Sequence, residues 1–230
     1  MSRFDRDTAV EDLGDGRFGA EIHAAWNIVR GPNGGYLAAI VLRALRAAAA
    51  DPDRAPRSLT IHYLAAPGPG PVEVGTRVER TGSRLTTVSG RMEQDGATVA
   101  LALAAFSANW DQALPDTAPV MPDAPPPDGR EPFPRIPGRT PPFSDHFVMT
   151  PTVGTLPFAG GDEARTGGWL RLEDPRAVDP VLLATYADAW FPAPFSRLTG
   201  PAAAPTIDLT IHFRTADPAV AAGEPVLAVF

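Results

Sequence analysis

The 230-residue sequence contains no cysteine and no lysine; all 20 of its basic residues are arginine. The missing cysteine excludes disulfide stapling, thiolate metal sites and a thiol nucleophile. The missing lysine, with a net charge of −7, leaves no basic tract to grip a phosphate backbone, so nucleic-acid binding is not expected. Histidine is scarce too: the four residues His23, His62, His146 and His212 are scattered, which argues against a His-rich metal centre. No apolar run is long enough to span a bilayer, because the longest is broken by Arg43 and Arg46. The opening residues, Met1-Ser2-Arg3-Phe4-Asp5-Arg6-Asp7, lack the apolar region of a secretory leader. The expectation is a cytoplasmic globular protein of one large or two small domains, with chemistry resting on oxygen groups and no metal or cofactor required.

Periodicity supplies the elements. From Asn33 to about Ala50 the residues Tyr36, Leu37, Ile40, Val41, Leu42 and Leu45 are separated mostly by alanine, the pattern of a helix buried nearly all round. Gly31-Pro32-Asn33 offers a turn and an N-cap, and Asp51-Pro52 a stop. Ser58–Tyr63 and Val72–Val78 then alternate apolar and polar residues, as strands with one wet face do. Leu85–Glu93 and Thr98–Phe106 complete an antiparallel meander, the last two joined by the hairpin signal Asp95-Gly96. Between Asp111 and Gly160 the alternation disappears and 13 prolines occur. This stretch is expected to be an extended linker, with Phe133, Ile136, Phe143 and Phe147 packing part of it over a surface.

The chain also repeats itself. Ser58-Leu59-Thr60-Ile61-His62-Tyr63 is echoed by Asp208-Leu209-Thr210-Ile211-His212-Phe213 at an offset of 150. Trp26 is echoed by Trp169, and the helix from Tyr36 by Val181–Trp190, at slightly smaller offsets. Three ordered echoes predict a duplicated unit, with boundaries 1–110, 111–160 for the linker and 161–230. The first meander occupies roughly 50 residues from Ser58, whereas 23 residues run from Asp208 to Phe230, so the second unit is expected to have fewer strands.

A buried helix wrapped by an antiparallel sheet, twice in one chain, resembles the α+β double-hotdog architecture. The sequence resembles the TesB-like (type II) acyl-CoA thioesterases. Asn33-Gly34-Gly35-Tyr36 opening the first helix, Ser58–Leu64, Tyr186-Ala187-Asp188 on the second helix and Pro205-Thr206-Ile207-Asp208 before the second meander carry the likeness. The resemblance implies that Asp188 and Thr206 hold the attacking water and that Gly34 and Gly35 form the turn beside the reacting thioester. The family's third group, a Gln on the last strand, has no counterpart among these residues. The resemblance further implies an acyl-CoA substrate, held through a local arginine cluster given the acidic net charge, no membrane partner, and a homo-oligomer.

The residues themselves fit those roles in part. Asp188 lies among Leu182, Leu183, Tyr186, Ala187, Ala189 and Trp190, where burial would raise its pKa and suit it to act as general base. A solvent-facing polar stripe is the plainer explanation. The first-unit position matching Asp188 is Arg43, and that matching Thr206 is Pro56, so only the second unit supplies water-activating groups. Backbone N–H groups at Asn33, Gly34, Gly35 and Tyr36 are expected to receive a developing oxyanion at a helix N-terminus. His62 and His212 occupy one repeated position and are expected to be structural, Asp208 a strand-end charge, and Trp26 and Trp169 core anchors. Two other readings stay open: an acyl-thioester-binding protein without activity, and an enoyl-thioester hydratase, which would need a His beside Asp188.

Overall fold

The computed structural model describes residues 1–109, 120–138 and 140–230; residues 111–119 and 139 of the expected linker, and residue 110 of the first unit, fall outside them. Its centre is α2 (Gly34–Ala49), every residue of which from Gly34 to Leu45 is buried except Arg43. The Asn33 side chain caps its N-terminus by accepting the Tyr36 N–H at 3.0 Å. It ends where Ala50 turns left-handed before Asp51-Pro52. Five antiparallel strands wrap it: β2 (Arg17–Ile22), β3 (Ala55–Tyr63), β4 (Gly70–Thr81), β5 (Leu85–Gln94) and β6 (Ala97–Ser107). A fully buried Leu or Ile on that helix contributes about 1.5–3 kcal/mol by leaving water, and a dozen large side chains from helix and sheet share this core.

The expected Asp95-Gly96 hairpin is present, with φ of 51° and 78° at the two positions, the conformation a two-residue turn of this hand requires. The same chemistry recurs at Asp15-Gly16, φ 53° and 72°, which joins β1 (Glu11–Gly14) to β2. Neither strand stands out by alternation, since β1 is exposed along its whole length.

The second unit begins inside the stretch read as linker. Phe147–Gly154 forms strand β7, paired with β8 (Thr166–Leu172), which pairs in turn with β10 (Val226–Val229). Alternation is hidden in β7 because Phe147, Met149 and Thr150 are all buried and Pro151 sits at a register shift. Part of the Pro-rich segment packs as expected: Phe143 and Phe147 are buried, Phe133 meets Trp190 and Phe191 edge-on, and its N–H bonds to the Met149 carbonyl at 2.8 Å, but Ile136 is exposed.

The β8–β10 pair repeats β2–β4 of the first unit, and β9 (Asp208–His212) repeats β3. However, β9 joins the first unit's sheet, in the order β1-β2-β4-β5-β6-β3-β9, while β10-β8-β7 stand apart. The pairing of β3 with β9 is self-complementary about Thr60↔Thr210, with Ser58↔His212 and His62↔Asp208 on either side. The two threonine hydroxyls lie 3.2 Å apart, so a pseudo-twofold axis passes through residues separated by the predicted offset of 150. The helices obey the same offset, since Thr185 Oγ1 of α3 (Pro180–Tyr186) donates to the Gly35 carbonyl at 3.1 Å.

Two of the repeat's other correspondences fail. Trp26 lies in a 3₁₀ turn, fully buried between the rings of Tyr36 and His146 at 4.8 and 3.7 Å, whereas Trp169 is a half-buried residue of β8. Arg43 is not the counterpart of Asp188 either; it pairs with Asp5 of α1 (Arg3–Asp7) at 2.9 Å. At the offset obeyed by the axis, the position matching Asp188 is Ala38. Among the described residues no helix is long and apolar enough to cross a membrane.

Candidate active site

Three segments converge where α2 begins and α3 ends. Asp179 caps α3 by accepting the Leu182 N–H at 2.8 Å, and Pro180 pre-sets its first turn. The helix stops after seven residues, and the following turn, closed by the Asp188 N–H on the Thr185 carbonyl, aims the Asp188 side chain at the N-terminus of α2. The third segment enters β9: the Tyr63 N–H bonds to the Ile207 carbonyl at 2.9 Å, extending the β3–β9 ladder and so placing Thr206.

The half-buried Asp188 carboxylate collects three donors from these segments. Its Oδ2 accepts the Gly35 N–H and Asn33 Nδ2, each at 3.1 Å, and its Oδ1 accepts Thr206 Oγ1 at 3.1 Å. Asn33 thus works twice, its amide oxygen capping α2 while its nitrogen grips both the side chain and, at 2.8 Å, the backbone carbonyl of Asp188. Burial pushes the Asp188 pKa up, and the hydrogen bonds from Thr206, Gly35 and Asn33 pull it partly back; the net direction is above the ordinary carboxylate value of 3.8. The shift is toward a more basic carboxylate, the direction that favours accepting a proton.

Close approach explains both glycines. A Cβ on Gly34 would lie 2.8 Å from Asp188 Oδ2 and 3.2 Å from the Tyr63 hydroxyl, and one on Gly35 would lie 2.5 Å from the Thr185 carbonyl oxygen. The residues expected in the site therefore come together, with one exception. The Tyr36 ring stacks on Trp26 in the core, its hydroxyl bonds to the carbonyls of Asp7 and Glu21, and its N–H is taken by the cap. Tyr36 has no group left for an oxyanion, the Asn33 N–H is taken by the Trp26 carbonyl at 3.0 Å and the Gly35 N–H by Asp188, so the expected oxyanion role fails at these three positions.

The histidines lie elsewhere. His146 is buried against Trp26 with Nε2 at 3.0 Å from the Ala25 carbonyl, and burial holds its pKa below 6.5. His62 and His212 are exposed on the β3–β9 pair. Among the described residues, no histidine hydrogen-bonds to Asp188, which removes the geometry a hydratase pair would need. One residue of the cluster carries no signal in a single strand pattern: Tyr63, whose hydroxyl donates to the Gly34 carbonyl at 2.6 Å.

Comparison with known proteins agrees with this architecture. No curated protein matches the sequence. A solved hotdog-fold protein of unknown function from Alicyclobacillus acidocaldarius is 26% identical, superposes with a TM-score of 0.88, and is matched over 98% of this chain and 84% of its own. A candidate thioesterase II from Thermobifida fusca YX, also 26% identical, gives a TM-score of 0.82 over 100% of this chain and 84% of its own. The tesB protein of Mycobacterium avium subsp. paratuberculosis, 21% identical with a TM-score of 0.68 over 93% and 80% of the two chains, shares the fold. Sequence profiles of the acyl-CoA thioesterase N-terminal domain and C-terminal domain match residues 22–107 and 115–229. With both domains matched in tandem over most of its length, the chain belongs to the acyl-CoA thioesterase family and is a thioester hydrolase of double-hotdog fold.

Proposed function

We propose that this protein hydrolyses fatty acyl-CoA to free acid and CoA using a water held by Asp188 and Thr206. The observation that carries this reading is the convergence of Thr206 Oγ1, Asn33 Nδ2 and the Gly35 N–H on one half-buried carboxylate between two helices. In the reaction Asp188 takes a proton from the water as its oxygen attacks the thioester carbonyl. The tetrahedral oxyanion then collapses, the carbon–sulfur bond breaks, and the proton returns from Asp188 to the departing thiolate. Thr206 orients the water by its hydroxyl, and the positive end of the α2 dipole offsets negative charge at Gly34 and Gly35. The same proposal places the protein in the cytoplasm as a homo-oligomer. Leu85 and Leu103, exposed on the long sheet's outer surface, supply apolar area for self-association.

The test is thiol release from a panel of short- to long-chain acyl-CoAs, with the Asp188→Asn variant in parallel. Turnover by the wild type that falls at least about 100-fold in the variant, with substrate still bound, supports the assignment. Equal turnover by the two proteins sinks it.

A further inference from the structure

The Gly34 carbonyl and the Gly35 N–H belong to one peptide group, and each end of it is held by a side chain from a different element. At the oxygen end the Tyr63 hydroxyl donates at 2.6 Å; at the nitrogen end the Gly35 N–H donates to Asp188 Oδ2 at 3.1 Å. We infer that Tyr63 is a positioning residue of the hydrolytic site, acting through the Gly34–Gly35 peptide on the Asp188 carboxylate; this rests on the thioester-hydrolysis reading of Asp188.

The physical link is the polarity of the amide. A hydrogen bond accepted by the carbonyl draws electron density toward oxygen and makes the N–H of the same peptide a stronger donor. It also adds a second hold on the Gly-Gly peptide in the first turn of α2, where the missing side chains leave the backbone less restrained than other residues would. Donation by Tyr63 therefore stabilises the ionised form of Asp188 and holds its Oδ2, leaving Oδ1 for Thr206. The hydroxyl stays protonated throughout any working pH range, because burial first and the nearby Asp188 charge second push its pKa above that of an ordinary phenol. The contact has no slack: a Cβ added at Gly34 would meet Asp188 Oδ2, Tyr63 Cζ and the Tyr63 hydroxyl at 2.8, 3.1 and 3.2 Å.

The repeat provides an internal control. At the offset of 150 obeyed by the axis, Tyr63 corresponds to Phe213 and Asp188 to Ala38. Each pseudo-equivalent site takes one of these positions from each half, so the site that has the carboxylate Asp188 has the hydroxyl of Tyr63, and the site with Ala38 in place of the carboxylate has Phe213 in place of the hydroxyl. If Tyr63 served only to fill space, phenylalanine would do at both places, as it does at Phe213, which is buried.

The experiment compares the full-length wild type with Tyr63→Phe and with a protein carrying a fluorinated tyrosine at position 63, whose shape is nearly unchanged and whose hydroxyl is the stronger donor. Two readouts are taken: the pH profile of kcat/KM for thiol release from an acyl-CoA, and the midpoint of the Asp188 carboxyl followed by ¹³C NMR. In Tyr63→Phe we expect kcat to fall about three- to tenfold with KM nearly unchanged, while the acidic limb and the carboxyl midpoint both rise by about half a pH unit. The fluorinated protein should move both downward. Midpoints that stay at the wild-type value in both variants overturn the inference even where activity drops, since the loss would then come from packing. Absence of turnover by the wild type would remove the hydrolytic reading, and the carboxyl midpoints would still decide whether Tyr63 governs Asp188.

Discussion

The two ends of α3 each carry an aspartate and treat it in opposite ways. At the N-terminal end Asp179 receives the Leu182 N–H and a two-pronged ion pair from Arg176 at 2.8 and 3.0 Å. Burial alone would raise its pKa, but the Arg176 hydrogen bonds, the cap and the Arg176 charge hold it below 3.8. At the other end, among the described residues, Asp188 has no cationic partner and only neutral donors, and its pKa goes up. The first arrangement is what a helix needs to be stable, and the second is what a base needs to accept a proton. One seven-residue helix thus separates a group spent on stability from a group whose ionisation costs stability.

Exchanging each acid for its amide should separate these roles, and the largest effect lies at Asp188. Asp188→Asn is expected to lose at least about 100-fold in kcat while melting at or above the wild-type temperature, whereas Asp179→Asn should keep most activity and melt lower. Gly35→Ala tests whether the junction tolerates any added volume: its Cβ would sit 2.5 Å from a backbone carbonyl, and a stability loss of about 3 kcal/mol by chemical denaturation is expected. Thr206→Val removes the hydroxyl on Asp188 Oδ1 and should lower kcat about tenfold with little change in melting temperature. Asp179→Ala removes both cap and ion pair at a cost of about 1–2 kcal/mol.

The finest discrimination comes from pH. Asp179, with its pKa lowered, adds stability that is fully present above 3.8 and is lost as pH falls through its folded value. Asp188, with its pKa raised, does the reverse: from 3.8 up to its folded value, stability declines as pH rises. Denaturation of each amide variant against the wild type across acidic pH should give difference curves of opposite slope. Parallel curves would show that the two ends are not electrostatically distinct.

How much of this was legible beforehand depends on the residue. α2 and the strands β3 to β6 follow from periods of 3.6 and 2, and the offset of 150 reappears as a physical axis at Thr60 and Thr210. The strand β7 is hidden because both its faces are covered and a proline interrupts it. The Trp26 and Trp169 echo misleads because like residues at similar spacing do different jobs, one sealed in the core and one on a strand. Asp188 and Thr206 were nominated by resemblance. Their contact, and the second use of Asn33, depend on where a short helix stops, which no local pattern states. Tyr63 could have been found from the repeat alone, as the one place where the echoed strands differ by a hydroxyl opposite Phe213.

One feature at the other end of the chain bears on how the molecule is made. Asp5 of α1 reaches both Arg43 at 2.9 Å and Arg176 at 3.4 Å, and the Arg3 N–H bonds to Asp174, 171 positions away. During synthesis the N-terminal segment leaves the ribosome long before Arg176 and Asp174 exist. Half of its anchorage must wait until most of the chain has emerged. The anchoring of α1 is therefore complete only once segments of both repeats are present, and a bulky N-terminal fusion is expected to disturb this junction between them.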